Sequence, residues 1–221
     1  MLPQAKARIF LSTERQAMQT ETYRSYSSLQ HIEQFGNLRS FEEITLAEEA
    51  RTTVQKQEDV ICVIIPLVGT IHFENNQDDS LLNPGQALFC VEETVITNPY
   101  SDALVNFLKL KFYSSSASAA AITCFDIDSQ KNKLVNISED QRLPQISIGK
   151  FDGRSELLHT LRSKDSGVFI HVITGAFEVQ YRLLEAKDSL AIWESDTLDV
   201  EALSNEAIIL LMETPLTAQQ V

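Results

Sequence analysis

"TTVQKQEDVICVIIPLVGTIHF", Thr52–Phe73, is the stretch that decides the fold class. From Val60 to Val68 it is almost wholly β-branched or aliphatic, Gly69 breaks the run, and "TIHF" resumes it. β-branched and aromatic side chains suit a pleated, half-buried surface, and a glycine supplies the positive φ of a tight hairpin turn. The stretch therefore reads as two strands meeting at a turn.

The same signature recurs on both sides. Upstream is "LRSFEEITL"; downstream come "ALFCVEE" and "LVNFLKLKFY", separated by the turn-forming "NNQDDS", "NPGQ" and "NPYSD". After residue 120 the pattern begins again with "KLVNIS", "QISIGKF", "VFIHVITG", "AFEVQY", "LAIWE", "TLDVEAL" and "AIILLME". Amphipathic helices are not evident. Many short strands punctuated by turns predict an all-β sandwich or barrel. "TERQAMQTETYRSYSSLQHIEQFG", which has no clear period, reads as a loop-rich lead-in. "YSSSASAAAITCFDIDSQKNK" reads as a linker or short crossing helix, which sets a boundary near residue 120.

The two halves resemble each other. "VICVIIPLVGTIHFE" followed by "LNPGQALFCVEETV" is matched by "GVFIHVITGAFEVQ" followed by "LEAKDSLAIWESDTLDV". Each half reads strand, glycine turn, strand, tight turn, strand, acidic turn, with Gly69 and Gly175 at corresponding hairpins. Such internal similarity predicts a duplicated β-barrel, with domains at 1–120 and 121–221.

Composition narrows the function classes. Lys and Arg number 18 against 31 Asp and Glu, a net charge of −13. That balance disfavours direct contact with nucleic-acid phosphates and favours basic partners. Cys62, Cys90 and Cys124 form no CxxC pair and read as free thiols of a reducing cytosol, so a cytoplasmic location is expected. There is no signal-peptide pattern, and apolar runs such as "VICVIIPLVG" are too short to span a bilayer, so no membrane association is expected.

Read together, "FGNLRSFEEITLAEEA" (35–50), "PLVGTIHF", "NPGQA" and "DSLAIWESDTLDVEALSNEAIILLMETPL" (188–216) resemble the pirin-like family of bicupins, which includes quercetin-cleaving dioxygenases. The resemblance implies two cupin-type (RmlC-like jelly-roll) β-barrels in one chain. It also implies, in metal-bearing members, one ferrous-type ion in the first barrel, held by three His and one Glu. Carried onto this chain, an HxH pair about fourteen residues before the hairpin glycine falls on Gln55 and Gln57. The remaining His and the Glu fall on Asn98 and Tyr100. The corresponding place in the second half, Leu161 and Ser163, has no HxH pair either.

Neutral amides and a phenol bring no ready anion and no imidazole to a divalent ion. Strand alternation would put Gln55 and Gln57 on one face, where they would share a metal-free polar ligand pocket with Asn98 and Tyr100. The expectation is a bicupin that has lost its metal site, a non-catalytic protein without cofactor that binds a small molecule or a protein. The alternatives are a quercetin 2,3-dioxygenase-type enzyme holding Fe or another divalent metal through non-standard ligands, and a regulatory protein-interaction module.

Other candidates are weaker. The histidines are His31, His72, His159 and His171, none in an HxH or HxxxH pair. A rescued metal site from His72, Glu74 and Cys90 is weighed against an ordinary strand histidine at a wet edge. His171 reads as a buried histidine satisfied by a hydrogen bond, and Trp193 as core filling with its indole N–H hydrogen-bonded. No GxSxG or phosphate-loop spacing is present, and "DGRSE" (152–156) reads as a turn.

Overall fold

The structure, a computed structural model, describes residues 5–29, 34–114, 121–137 and 140–216. His31 and the expected boundary near residue 120 lie outside the described residues. Within them the chain forms twenty-one strands and one short 3-10 turn at Ser12–Glu14. The strands belong to two compact units. One takes the described part of residues 15–31 and 38–125, here the first unit; the other takes that of 1–14, 32–37 and 126–221, the second unit.

The first unit has a seven-stranded sheet in the order β12 (Ala121–Cys124), β9 (Gln86–Cys90), β6 (Val60–Val68), β11 (Val105–Tyr113), β4 (Leu38–Leu46), β3 (Tyr23–Ser27) and β2 (Gln16–Gln19). Its four-stranded sheet runs β5 (Arg51–Val54), β10 (Thr94–Thr97), β7 (Ile71–Glu74) and β8 (Asp79–Leu82). The second unit repeats the plan. Its six-stranded sheet is β1 (Lys6–Phe10), β19 (Ser189–Trp193), β16 (Ser166–Thr174), β21 (Ala207–Pro215), β14 (Gln145–Phe151) and β13 (Lys133–Asn136). Its four-stranded sheet is β15 (Glu156–Thr160), β20 (Thr197–Ala202), β17 (Phe177–Val179) and β18 (Arg182–Leu184). This is an all-β fold with cupin-like sheet topology in both units.

The glycine hairpins form as the sequence predicts. Gly69 and Gly175 adopt φ of 76° and 78° between β6 and β7 and between β16 and β17. At Gly69 a Cβ would come within 2.9 Å of Val105 Cγ1, so both conformation and space require glycine.

The lead-in is not loop-rich. Gln16–Gln19 and Tyr23–Ser27 form a hairpin that extends the large sheet of the first unit, Tyr23 pairing with Leu46. Lys6–Phe10 pairs with Ser189–Trp193 in the second unit. No clear period marks these segments because they are added at sheet edges, where β2 is exposed throughout and β1 nearly so. Ala121–Cys124, expected in a linker, is likewise a strand, paired with β9.

Alternation along the strands fills the space between the two sheets of each unit. In the first unit the inward row Cys62 and Ile64 meets Ile71, Phe73, Val54, Ile96 and Phe107. In the second unit Val168, Ile170 and Val172 meet Phe177, Val179, Leu198 and Val200. Burial of these side chains is the main favourable term holding each pair of sheets together.

Candidate functional site

The four positions that the family resemblance marks do not share one pocket. β5 ends at Val54, so Gln55 and Gln57 are exposed residues of the turn that follows it rather than neighbours on one strand face. The chain turns here because "QKQED" offers no apolar residue to bury, and Asp59 takes a positive φ of 54° before β6 begins. Gln57 accepts a hydrogen bond from Lys111 Nζ at 3.2 Å.

Asn98 stands at the opposite end of β5. The antiparallel ladder pairs Thr97 with Arg51 and Thr94 with Val54, and the Asn98 N–H donates to the Ala50 carbonyl at 2.8 Å. About 13 Å of ladder therefore separates the level of Asn98 from Val54, at roughly 3.3 Å per residue. Asn98 is fully buried, and its amide is consumed by the backbone. Nδ2 donates to the carbonyls of Ala47 and Ala103, both at 2.8 Å, while Oδ1 accepts from the Tyr100 N–H at 3.0 Å. The Tyr100 hydroxyl accepts the Thr70 N–H at 3.1 Å beside the Gly69 turn, and hydrogen bonding with Thr70 holds the phenol below its ordinary pKa. Asn98 and Tyr100 thus brace the loops that flank the β6–β7 hairpin.

These residues do not fit the metal that the fold family implies. Two are solvent-exposed neutral amides, one is a buried amide whose Nδ2 and Oδ1 are both engaged with the backbone, and one is a phenol already engaged as an acceptor. Among the described residues no group of three or more His, Cys, Asp or Glu side chains is placed to hold a metal ion. His72, Glu74 and Cys90 do not converge. Cys90 points into the apolar interior, whereas His72 pairs with Thr97 and Leu81 on the other face and its Nε2 lies 2.6 Å from Asp79.

In the second unit His171 is fully buried with Nδ1 2.9 Å from Ser189 Oγ, a hydrogen bond of the kind that the sequence suggests. His159 binds Glu213 at 2.8 Å. Burial pushes the Glu213 carboxyl up, but hydrogen bonds from His159 and the Arg162 N–H outweigh it and leave the group below its usual value. Trp193 departs from expectation. It packs against Phe35 with ring centroids 6.4 Å apart, but its buried indole N–H has no hydrogen-bond partner among the described residues. Packing of the indole face takes precedence there over pairing of its polar edge.

Residues 128–214 match the family of quercetinase C-terminal cupin domains. Among solved structures the chain is similar to YhhW from Escherichia coli, with a TM-score of 0.82 and 15% identity over 96% of this chain and 99% of that one. It is equally similar to the nickel(II) complex of YhhW, a bacterial pirin, at a TM-score of 0.82 and 14% identity over 96% and 100% of the chains. Its fold is that of the pirin-like bicupins. The quercetin 2,3-dioxygenase of Acinetobacter baumannii shares the fold more distantly, with a TM-score of 0.72 and 8% identity over 95% of this chain and 79% of that one. No curated protein sequence matches the chain. At these identities the likeness shows the fold, and a shared fold does not carry a shared chemistry. No helix among the described residues is long and apolar enough to cross a membrane.

Proposed function

We propose that this pirin-like bicupin works by binding, as a non-catalytic interaction protein whose two jelly-roll barrels serve as scaffold. One observation carries the reading: the four positions matching the family's metal ligands are divided between the two ends of β5, and the interior beside them is filled with apolar side chains. A metal-dependent oxygenase needs an open, polar coordination site in that interior. A small molecule held jointly by Gln55, Gln57, Asn98 and Tyr100 would need the Asn98 amide released from its backbone partners. Surface recognition needs no such rearrangement, and a net charge of −13 favours a basic partner.

The test is the metal content of protein purified without chelator and soaked in Fe(II), Mn(II) or Ni(II), read by mass spectrometry beside oxygen uptake with a flavonol. The expected result is far less than one equivalent of metal and no flavonol-dependent uptake. Near-stoichiometric metal that survives desalting overturns the reading in favour of a quercetinase-type enzyme with other ligands.

A further inference from the structure

Cys62 and Cys90 face each other on one rung of the first unit. β6 and β9 are antiparallel neighbours, and the register pairs Cys62 with Cys90, Val63 with Phe89 and Ile64 with Leu88. Directly opposed residues of an antiparallel pair have Cα atoms about 4.5–5.5 Å apart. That lies within the span of roughly 4.4–6.8 Å that a disulfide bridges without backbone movement. Both side chains project to the same interior, and the Cys90 thiol lies 3.6 Å from the Cys62 carbonyl oxygen. The duplicate unit shows that packing does not demand sulfur here. The rung at the same distance before the hairpin glycine pairs Val168 with Ile192, two aliphatic side chains in the same interior position.

We infer that Cys62 and Cys90 are a modification site, a dithiol that hydrogen peroxide oxidises to an intramolecular cross-strand disulfide. The chemistry balances in two steps. One thiolate attacks the peroxide O–O bond, giving a sulfenic acid and releasing the other oxygen as water once protonated. The second thiol then displaces the sulfenic hydroxyl as water, forms the S–S bond, and gives up its proton to it. Two thiols and one peroxide become one disulfide and two waters.

The two sulfurs are not equivalent. A hydrogen bond from Cys62, helped by Thr94, draws the Cys90 thiol below its ordinary pKa in spite of burial, whereas the same pairing together with burial drives Cys62 well above it. Cys90 is also the last residue of β9, so fraying of that strand end opens a path for an oxidant hardly larger than water. The bond would tie β6 to β9 between positions 28 apart in the sequence.

The experiment uses the full chain carrying Cys124→Ser, which removes the exposed thiol. The folded protein is treated with hydrogen peroxide, denatured, and alkylated without reductant. The expected result is loss of both remaining alkylatable thiols, an intact mass lower by two hydrogens, and a peptide linking 62 to 90. Tm rises by several degrees, reversibly on adding dithiothreitol, and neither Cys62→Ser nor Cys90→Ser gives the mass change. Retention of both thiols after treatment of folded protein overturns the inference. So does oxidation that only adds oxygen to either sulfur. The mass readings on the Cys124→Ser chain decide the matter even if a core cysteine variant fails to fold.

Discussion

Three residues beyond each hairpin glycine, a rung crosses the small sheet of each unit. In the first unit it reads Arg51–Thr97–His72–Leu81, in the second Glu156–Glu201–Glu178–Leu183. The duplicated ladders hold these side chains in the same relation, on the face turned away from the filled interior. The first rung mixes a cation, a hydroxyl and an imidazole, and its histidine meets Asp79 at 2.6 Å. The second sets three carboxylates side by side with no ion pair for any of them among the described residues, over a hollow that Tyr181 and Asp199 help to line. Like charges directly opposite weaken a sheet, so this row is tolerated by the fold rather than required by it. Duplication has kept the interior pattern, where burial dictates residue type, and left the outer face free to diverge.

The largest effect tests what the two units share. Ile71 and Phe177 occupy the same place after their glycines, and both are fully buried. Phe177→Ala is expected to cost about 3–5 kcal/mol and Ile71→Ala about 2–5 kcal/mol in urea unfolding. A loss below about 1 kcal/mol at either site would mean that interior is an open pocket, and the parallel between the units would break there.

A smaller effect sharpens the contrast between the outer faces. Glu201 lies directly between Glu156 and Glu178, so Glu201→Gln relieves two unfavourable pairs at once. It is expected to stabilise the protein by roughly 0.2–1 kcal/mol at low ionic strength, an advantage that shrinks as salt is added. A destabilising Glu201→Gln, insensitive to salt, would show the row to be held by contacts other than charge.

The smallest effect concerns the loops. In the first unit the connection from β10 to β11 is braced by the Asn98 amide, which does not titrate. In the second, the connection from β20 to β21 is braced by Glu206, which meets Lys131 and, at 2.5 Å, Lys150. Hydrogen bonds from Lys131 and Lys150 lower the Glu206 carboxyl to about 2. A carboxyl depressed by folding stabilises at pH above its unfolded value and loses that contribution as pH falls through its folded value. Amide hydrogen exchange in the β20–β21 connection should therefore quicken between about pH 4.5 and 2 relative to that in β10–β11, after correction for intrinsic rates. Equal change in both loops, or none in Glu206→Gln relative to the parent at pH 7, would remove the ionic brace from the account. These groups are exposed, so the difference is small.

Several features are legible in the sequence alone. The period-two apolar runs, the glycines at 69 and 175 and the internal repeat are local signals, and strands, hairpins and a duplicated plan follow from them. The lead-in hairpin at 16–27 was illegible for the converse reason. The edge strand β2 is exposed throughout and β3 beside it buries only Ser25, so no buried apolar face writes a period into the sequence. At the candidate site the spacing to Gly69 puts Gln55 and Gln57 on one face of a strand, but a count of residues carries no information on where a strand ends. Val54, the last apolar residue before "QKQED", closes β5, and the two glutamines fall outside it.

By itself, then, the sequence determined the class of fold and the absence of the family's histidines, because both depend on residue type at short range. Only the tertiary structure decided what the replacements do. Asn98 looks like an available ligand in the sequence and is a backbone brace in the fold, since its amide meets carbonyls contributed from residues 47 and 103. Cys62 and Cys90 look unrelated at a separation of 28 residues, and the register of β6 on β9 sets them opposite each other. Pairing of that kind is a property of long-range register, which local sequence pattern does not encode.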